Sequence, residues 1–190
     1  VADRGQVPGV MTLRPVAARA GVGLIGLLLV GGLVGCVSKR RAARGEARTK
    51  LGAAYLQEGN TESAIETLRE ACKIDKRNIQ CFNKLGLALL ARGEFNGAEK
   101  AFKRALRLDK KNAEVNLNFA FMLQKLGRTD EAIEYLERAR EDITYRQPAL
   151  VLNNLGYAYT QIDRYPDAVL ALAEATARAP HYCPAWFNLG

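Results

Sequence analysis

One spacing governs this chain. The pair Leu51-Gly52 returns as Leu85-Gly86, Phe119-Ala120, Leu155-Gly156 and Leu189-Gly190, at intervals of 34, 34, 36 and 34 residues. A fixed period of this length marks a stack of supersecondary units, none of which can bury its apolar face alone. Other columns keep the same phase. Three residues past each small residue stands a large one, Tyr55, Leu89, Leu123 or Tyr159. Further on come alanine (Ala64, Ala98, Ala132, Ala168), a large residue (Leu68, Phe102, Leu136, Leu172) and alanine again (Ala71, Ala105, Ala139, Ala175).

Each column has a physical reason. Positions i, i+1 and i+4 share one face of a first helix, and the alanine–large–alanine spacing of four then three makes one face of a second. Small residues at Gly52, Gly86, Ala64 and Ala98 let two helix backbones approach closely. The large residues fill the remaining space, each gaining about 1.5–3 kcal/mol on burial. Gly59, Gly93 and Gly127 fall between the two helices, where a left-handed residue ends the first. Pro166 is placed to open a second helix, since its missing N–H costs nothing there.

These columns resemble the tetratricopeptide repeat over residues 45–190, with units 45–78, 79–112, 113–148 and 149–182. The resemblance implies an all-α fold, a right-handed superhelical solenoid of helix pairs. Lys76 and Lys110 stand where the repeat usually ends in proline, which here appears only as Pro180. The third unit carries two extra residues around Thr144–Gln147, predicting a longer loop. A fifth unit opens at Cys183 and stops at Gly190, so the reading expects a truncated product or a fragment.

The N-terminus reads as an address. Arg14 and Arg19 precede the uncharged run 21–35, GVGLIGLLLVGGLVG, and Cys36 follows. Leu33-Val34-Gly35-Cys36 resembles a bacterial lipobox, which implies cleavage before Cys36 and a diacylglyceryl anchor on its sulfur. Met11 gives such a signal peptide an ordinary length, and 36–44 becomes a lipidated basic linker. The competing reading is an uncleaved inner-membrane helix. Six glycines between 21 and 35 make that a poor helix, although Lys39, Arg40, Arg41 and Arg44 suit a cytoplasmic flank. Val37 in place of aspartate leans, by resemblance, towards the periplasmic face of the outer membrane.

The formal net charge is +8. The excess is read as sitting mostly in Lys39–Arg44, with mixed signs elsewhere, and basic residues are not interleaved with exposed aromatics as nucleic-acid binding requires. Neither a phosphate loop nor a metal-ligand cluster is present, and His181, the single histidine, follows Pro180 in a turn. Glu131, Glu134, Glu137 and Glu141 alternate with Arg138 and Arg140 as solvated ion pairs. The reading is therefore of a protein without catalysis, metal, cofactor or small-molecule substrate. Cys72 and Cys81 lie where neighbouring units face each other, and stand either as a disulfide or as small buried thiols.

The expected functional surface is the groove lined by the first helix of each pair. Matching the family's groove positions gives Asn83 and Leu87, then Leu117, Phe121 and Gln124, then Asn153, Tyr157 and Gln161. Asn118, Asn154 and Asn188 recur in phase, and their amides could hold an extended peptide backbone. Phe121 and Tyr157 are the expected apolar anchors. The cations of a chaperone-tail carboxylate clamp are not assembled.

The junction Ala139–Pro148 with its tyrosine, the following ALVLNNLG, and the opening segment Tyr55–Ala64 resemble the PilF/PilW family of type IV pilus biogenesis lipoproteins. That resemblance implies an outer-membrane pilotin whose groove receives a secretin subunit. A lipoprotein adaptor for peptidoglycan enzymes is the rival reading.

Overall fold

The computed structural model describes the backbone of residues 22–189 and the side chains of residues 38–189. The expected signal peptide and the lipidation of Cys36 lie outside the described side chains. The chain divides into two compact units, Val1–Lys39 and Arg40–Gly190. Within the first, the backbone is helical from Val22, and this helix, α1, runs on to Gln57. The segment expected as a basic linker, 36–44, is thus helical, as is the glycine-rich run before it. Glycine costs a helix about 1 kcal/mol each relative to alanine, but no proline interrupts α1. Among the described residues, no helix is long and apolar enough to cross a membrane.

The second unit consists of helix pairs. After α1 come α2 (Thr61–Ile74), α3 (Ile79–Ala91), α4 (Phe95–Leu108), α5 (Ala113–Lys125), α6 (Thr129–Arg140), α7 (Pro148–Gln161), α8 (Tyr165–Arg178) and α9 (Cys183–Leu189). Odd-numbered helices are the first of each pair. The described residues contain no strand.

The repeating columns form the core. Ala64, Leu68, Ala98, Phe102, Ala132 and Leu136 are fully buried, with Ala168 and Leu172 nearly so. The small-residue column is a close-approach seam. A Cβ added at Gly52 would lie 2.6 Å from Leu68 Cγ, at Gly86 2.6 Å from the Phe102 ring, and at Gly156 2.5 Å from Leu172 Cγ. Phe102 also stacks on Phe119 at 5.7 Å, joining the second repeat to the third.

Turns repeat as faithfully as the core. Gly59, Gly93 and Gly127 have φ of 77°, 79° and 72°, and the fourth equivalent, Asp163, takes φ 59° without being glycine. At each, the following residue's N–H reaches back over the helix end, as in Arg128 N–H to Leu123 O at 2.9 Å and Arg164 N–H to Tyr159 O at 2.9 Å. This is the hydrogen-bonded helix stop that a left-handed residue permits. Between repeats, where proline was lacking, Asp75 and Asp109 leave the helix in extended conformation. Their carboxylates accept from Arg77 N–H and Lys111 N–H, each at 3.0 Å. Asn78 and Asn112 then cap α3 and α5. The third connection, 141–147, is longer than 75–78 or 109–112.

Candidate functional site

Five of the expected groove residues meet in one cleft between α5 and α7. Phe121, Gln124, Asn154, Tyr157 and Gln161 line it, with Lys125 and Thr129, around a cavity of about 240 Å³. Phe121 and Tyr157 are each 46% exposed. They hold the same place in successive units, one residue past Ala120 and Gly156. That position lies next to the seam residue and turns outward from it. Lys125 Nζ stands 5.0 Å from the centre of the Phe121 ring, a cation over an aromatic face. Gln124 Nε2 is buried and makes no hydrogen bond. A buried donor without an acceptor costs about 1–3 kcal/mol, a local instability at the edge of the cleft.

The lining combines two aromatic faces, three amide side chains, the hydroxyls of Thr129 and Tyr157, and one cation, without a carboxylate, histidine or cysteine. Its chemistry fits an apolar side chain between the rings and a peptide backbone against the amides. Asn154 has already spent one donor, since its Nδ2 donates to Leu150 O at 2.7 Å.

The remaining expected groove residues lie elsewhere, and this corrects the asparagine-ladder reading. Asn83 is fully buried and Asn153 is 8% exposed. Asn118 Nδ2 donates to Asn83 Oδ1 at 3.0 Å, and Asn188 Nδ2 donates to Asn153 Oδ1 at 2.9 Å. These amides stitch neighbouring first helices together and do not face a ligand. The reason is burial: a carbonyl in the seam between repeats must be satisfied from within. Leu117, 7% exposed, belongs to the core, and Leu87 is half-buried against it. Lys125 and Thr129 were missed. Lys125 lies one turn after Phe121 on the same helix face, a legible i,i+4 signal. Thr129 arrives from the next helix and carries no local signal.

The Cys72–Cys81 pair is bonded, with Cα atoms 5.6 Å apart, and ties α2 to α3 between the first and second repeats. A charged link joins the second repeat to the third: Lys84 Nζ and Gln80 Nε2 each donate to Glu114 at 2.9 Å. Burial pushes the Glu114 carboxyl up, but those hydrogen bonds and the Lys84 charge outweigh it and hold it below the ordinary carboxylate range. Burial, then the bond to Glu137 at 2.8 Å, pushes the Tyr159 hydroxyl up to about 12.

Helix pairs closed over a small-residue seam, with a cleft on the first-helix face, define a class of repeat protein that comparison with known sequences identifies. Tetratricopeptide-repeat profiles match residues 52–91, 89–144 and 123–182, and the chain belongs to that family. More particularly, it is homologous to the type IV pilus assembly protein PilF of Pseudomonas aeruginosa, of whose length it spans less than two thirds. The two are 30% identical over 147 residues, which is 72% of this chain and 58% of PilF. The solved PilF structure superposes with a TM-score of 0.76 at 28% identity, covering 78% of this chain and 67% of that one. PilW, described as a widely conserved type IV pilus biogenesis factor, shares the fold with a TM-score of 0.70 at 24% identity, covering 74% of this chain and 64% of that one. YrrB, described as having an unusual peptide-binding site, shares it with a TM-score of 0.61 at 19% identity, covering 75% and 72%.

Proposed function

We propose that this protein is a non-catalytic scaffold of type IV pilus biogenesis that holds a segment of the secretin in the cleft between α5 and α7. The observation that carries this reading is the pair of half-exposed rings, Phe121 and Tyr157, beside the unpartnered Gln124 donor. Homology to PilF supplies the process. The cleft supplies a place for a protein segment: aromatic anchors flanked by amides are the composition of interface hot spots.

In the same proposal, Cys36 carries a diacylglyceryl group after cleavage of residues 1–35, and the repeats work at the periplasmic face of the outer membrane. Tethering raises the local concentration of the cleft for secretin subunits arriving there. A disulfide between Cys72 and Cys81 supports an oxidising compartment.

The test is a deletion strain complemented with the parent or with Phe121→Ala/Tyr157→Ala. The parent restores secretin multimers and pili, and the double variant, present at equal abundance, leaves secretin monomeric. Normal multimers in the deletion strain contradict the proposal. Co-purification of peptidoglycan enzymes without secretin replaces it with the adaptor reading. Globomycin tests the anchor separately: precursor accumulates if Cys36 is acylated, and none accumulates if the segment stays as a membrane helix.

A further inference from the structure

The positive charge does not sit mostly in Lys39–Arg44, as the sequence reading expected. The second repeat, 79–112, holds eight cations against three anions, whereas the third, 113–148, holds five against seven, and the fourth, 149–182, two against three. Much of the excess in the second repeat belongs to α4 and the turn after it. There it meets α6 in a bowl of about 440 Å³ lined by Lys103, Leu106, Arg107, Lys110, Tyr135 and Arg138. Both walls are second helices, so the bowl lies apart from the α5–α7 cleft. Leu106 and Tyr135 are half-buried and pack on the core, forming an apolar floor beneath a cationic rim.

The carboxylates beside the bowl are already engaged. Glu99 pairs with Lys103 at 2.6 Å and with Arg128 at 2.9 Å, and Glu134 pairs with Arg138 at 3.3 Å. The Arg138 guanidinium lies 4.7 Å from the Tyr135 ring centre, which fixes it at the rim. Arg107 and Lys110 have no carboxylate at ion-pair distance among the described residues. An anion entering the bowl would therefore meet two uncompensated cations and two that are only partly neutralised.

We propose that this bowl binds the phosphate groups of an anionic lipid surface. The charge pattern favours a surface over a single acidic segment. Arg40, Arg41 and Arg44, all exposed, form a second basic cluster in the same compact unit, ahead of the first repeat. The third and fourth repeats are net acidic. A continuous negative surface offers partners to both basic clusters, whereas an acidic peptide would need the bowl alone. Basic residues near such a surface each contribute about 1 kcal/mol, and the attraction decays within a Debye length. The inference depends neither on what fills the α5–α7 cleft nor on acylation of Cys36.

The test is co-sedimentation of the full chain, carrying Cys36→Ser so that no acyl group contributes, with vesicles of phosphatidylcholine alone or mixed with phosphatidylglycerol. Any apolar contribution of residues 21–35 is common to both vesicle types, so the quantity read is the gain on adding phosphatidylglycerol. Arg107→Glu/Lys110→Glu should cut that gain about tenfold or more, by the worth of two basic residues at a surface. The charge-matched control Lys50→Glu/Lys73→Glu, on exposed sites of the first repeat, should keep it. Should the reversal variant lose helical signal, Arg107→Gln/Lys110→Gln takes its place with a smaller loss expected. A parent indifferent to phosphatidylglycerol, or an equal loss in the control, overturns the proposal. So does a polyglutamate peptide binding more tightly than the vesicles through Arg107 and Lys110.

Discussion

Inside each helix pair the repeats are near copies, and on the face made by the first helices they diverge. The seam positions Gly52, Gly86, Ala120 and Gly156 are all small and all buried. One residue further along, the outward-turning column reads Ala53, Leu87, Phe121 and Tyr157, growing along the chain from a methyl group to exposed rings. The seam leaves little freedom: it accommodates the Cβ of Ala120, but a Cβ at its three glycine positions would collide with the facing Leu or Phe. The outward column is less constrained: Leu87 still packs on the core, but Phe121 and Tyr157 are half-exposed. Stacking is thus carried by what the units share, and recognition by what they do not.

That contrast is sharpest under substitution. Phe102→Ala, in the seam, should cost about 3–5 kcal/mol in chemical denaturation, since a fully buried ring leaves a cavity and loses its stack on Phe119. A cost below 1 kcal/mol would show a seam far more plastic than its packing implies. Next in size is the Cys72–Cys81 bond. Closing a loop with a sequence separation of 9 predicts a loss of about 2–3 kcal/mol on replacing both cysteines by serine, read from the same denaturation curves. Asn118→Ala should cost about 1–3 kcal/mol, because it strands the buried Asn83 carbonyl. No loss of stability there would return the asparagines to the groove. The smallest effect is a gain. Asp163→Gly relieves a left-handed residue and should add about 0.5–1 kcal/mol, seen as a modest rise in Tm. The hydrogen bond that Tyr165 donates to Asp163 at 2.6 Å offsets part of that gain.

The same division explains what was legible in the sequence. Residues 51–175 announced most of their buried columns because each recurs with a fixed period; Leu51, 47% exposed, departs from its column. The cleft was half legible. Phe121, Gln124, Asn154, Tyr157 and Gln161 lie on the cleft-facing side of α5 and α7, where the family's groove positions and the recurring asparagines place them. Asn83 and Asn153 misled because a neighbouring first helix covers them, and that rotation between repeats leaves no mark in local spacing. The left-handed Asp163 escaped notice because aspartate advertises its conformation less plainly than glycine. The charge of the second repeat was legible but passed over, because the excess was assigned to the Lys39–Arg44 cluster.

The most direct trial of the central claim is photo-cross-linking in cells. A photoreactive phenylalanine analogue at Tyr157, in the cleft, is compared with one at Leu170, which is 70% exposed on α8. The account predicts an adduct with secretin from position 157 and none from 170. Secretin captured from 170 alone, or a peptidoglycan enzyme captured from 157, would contradict it.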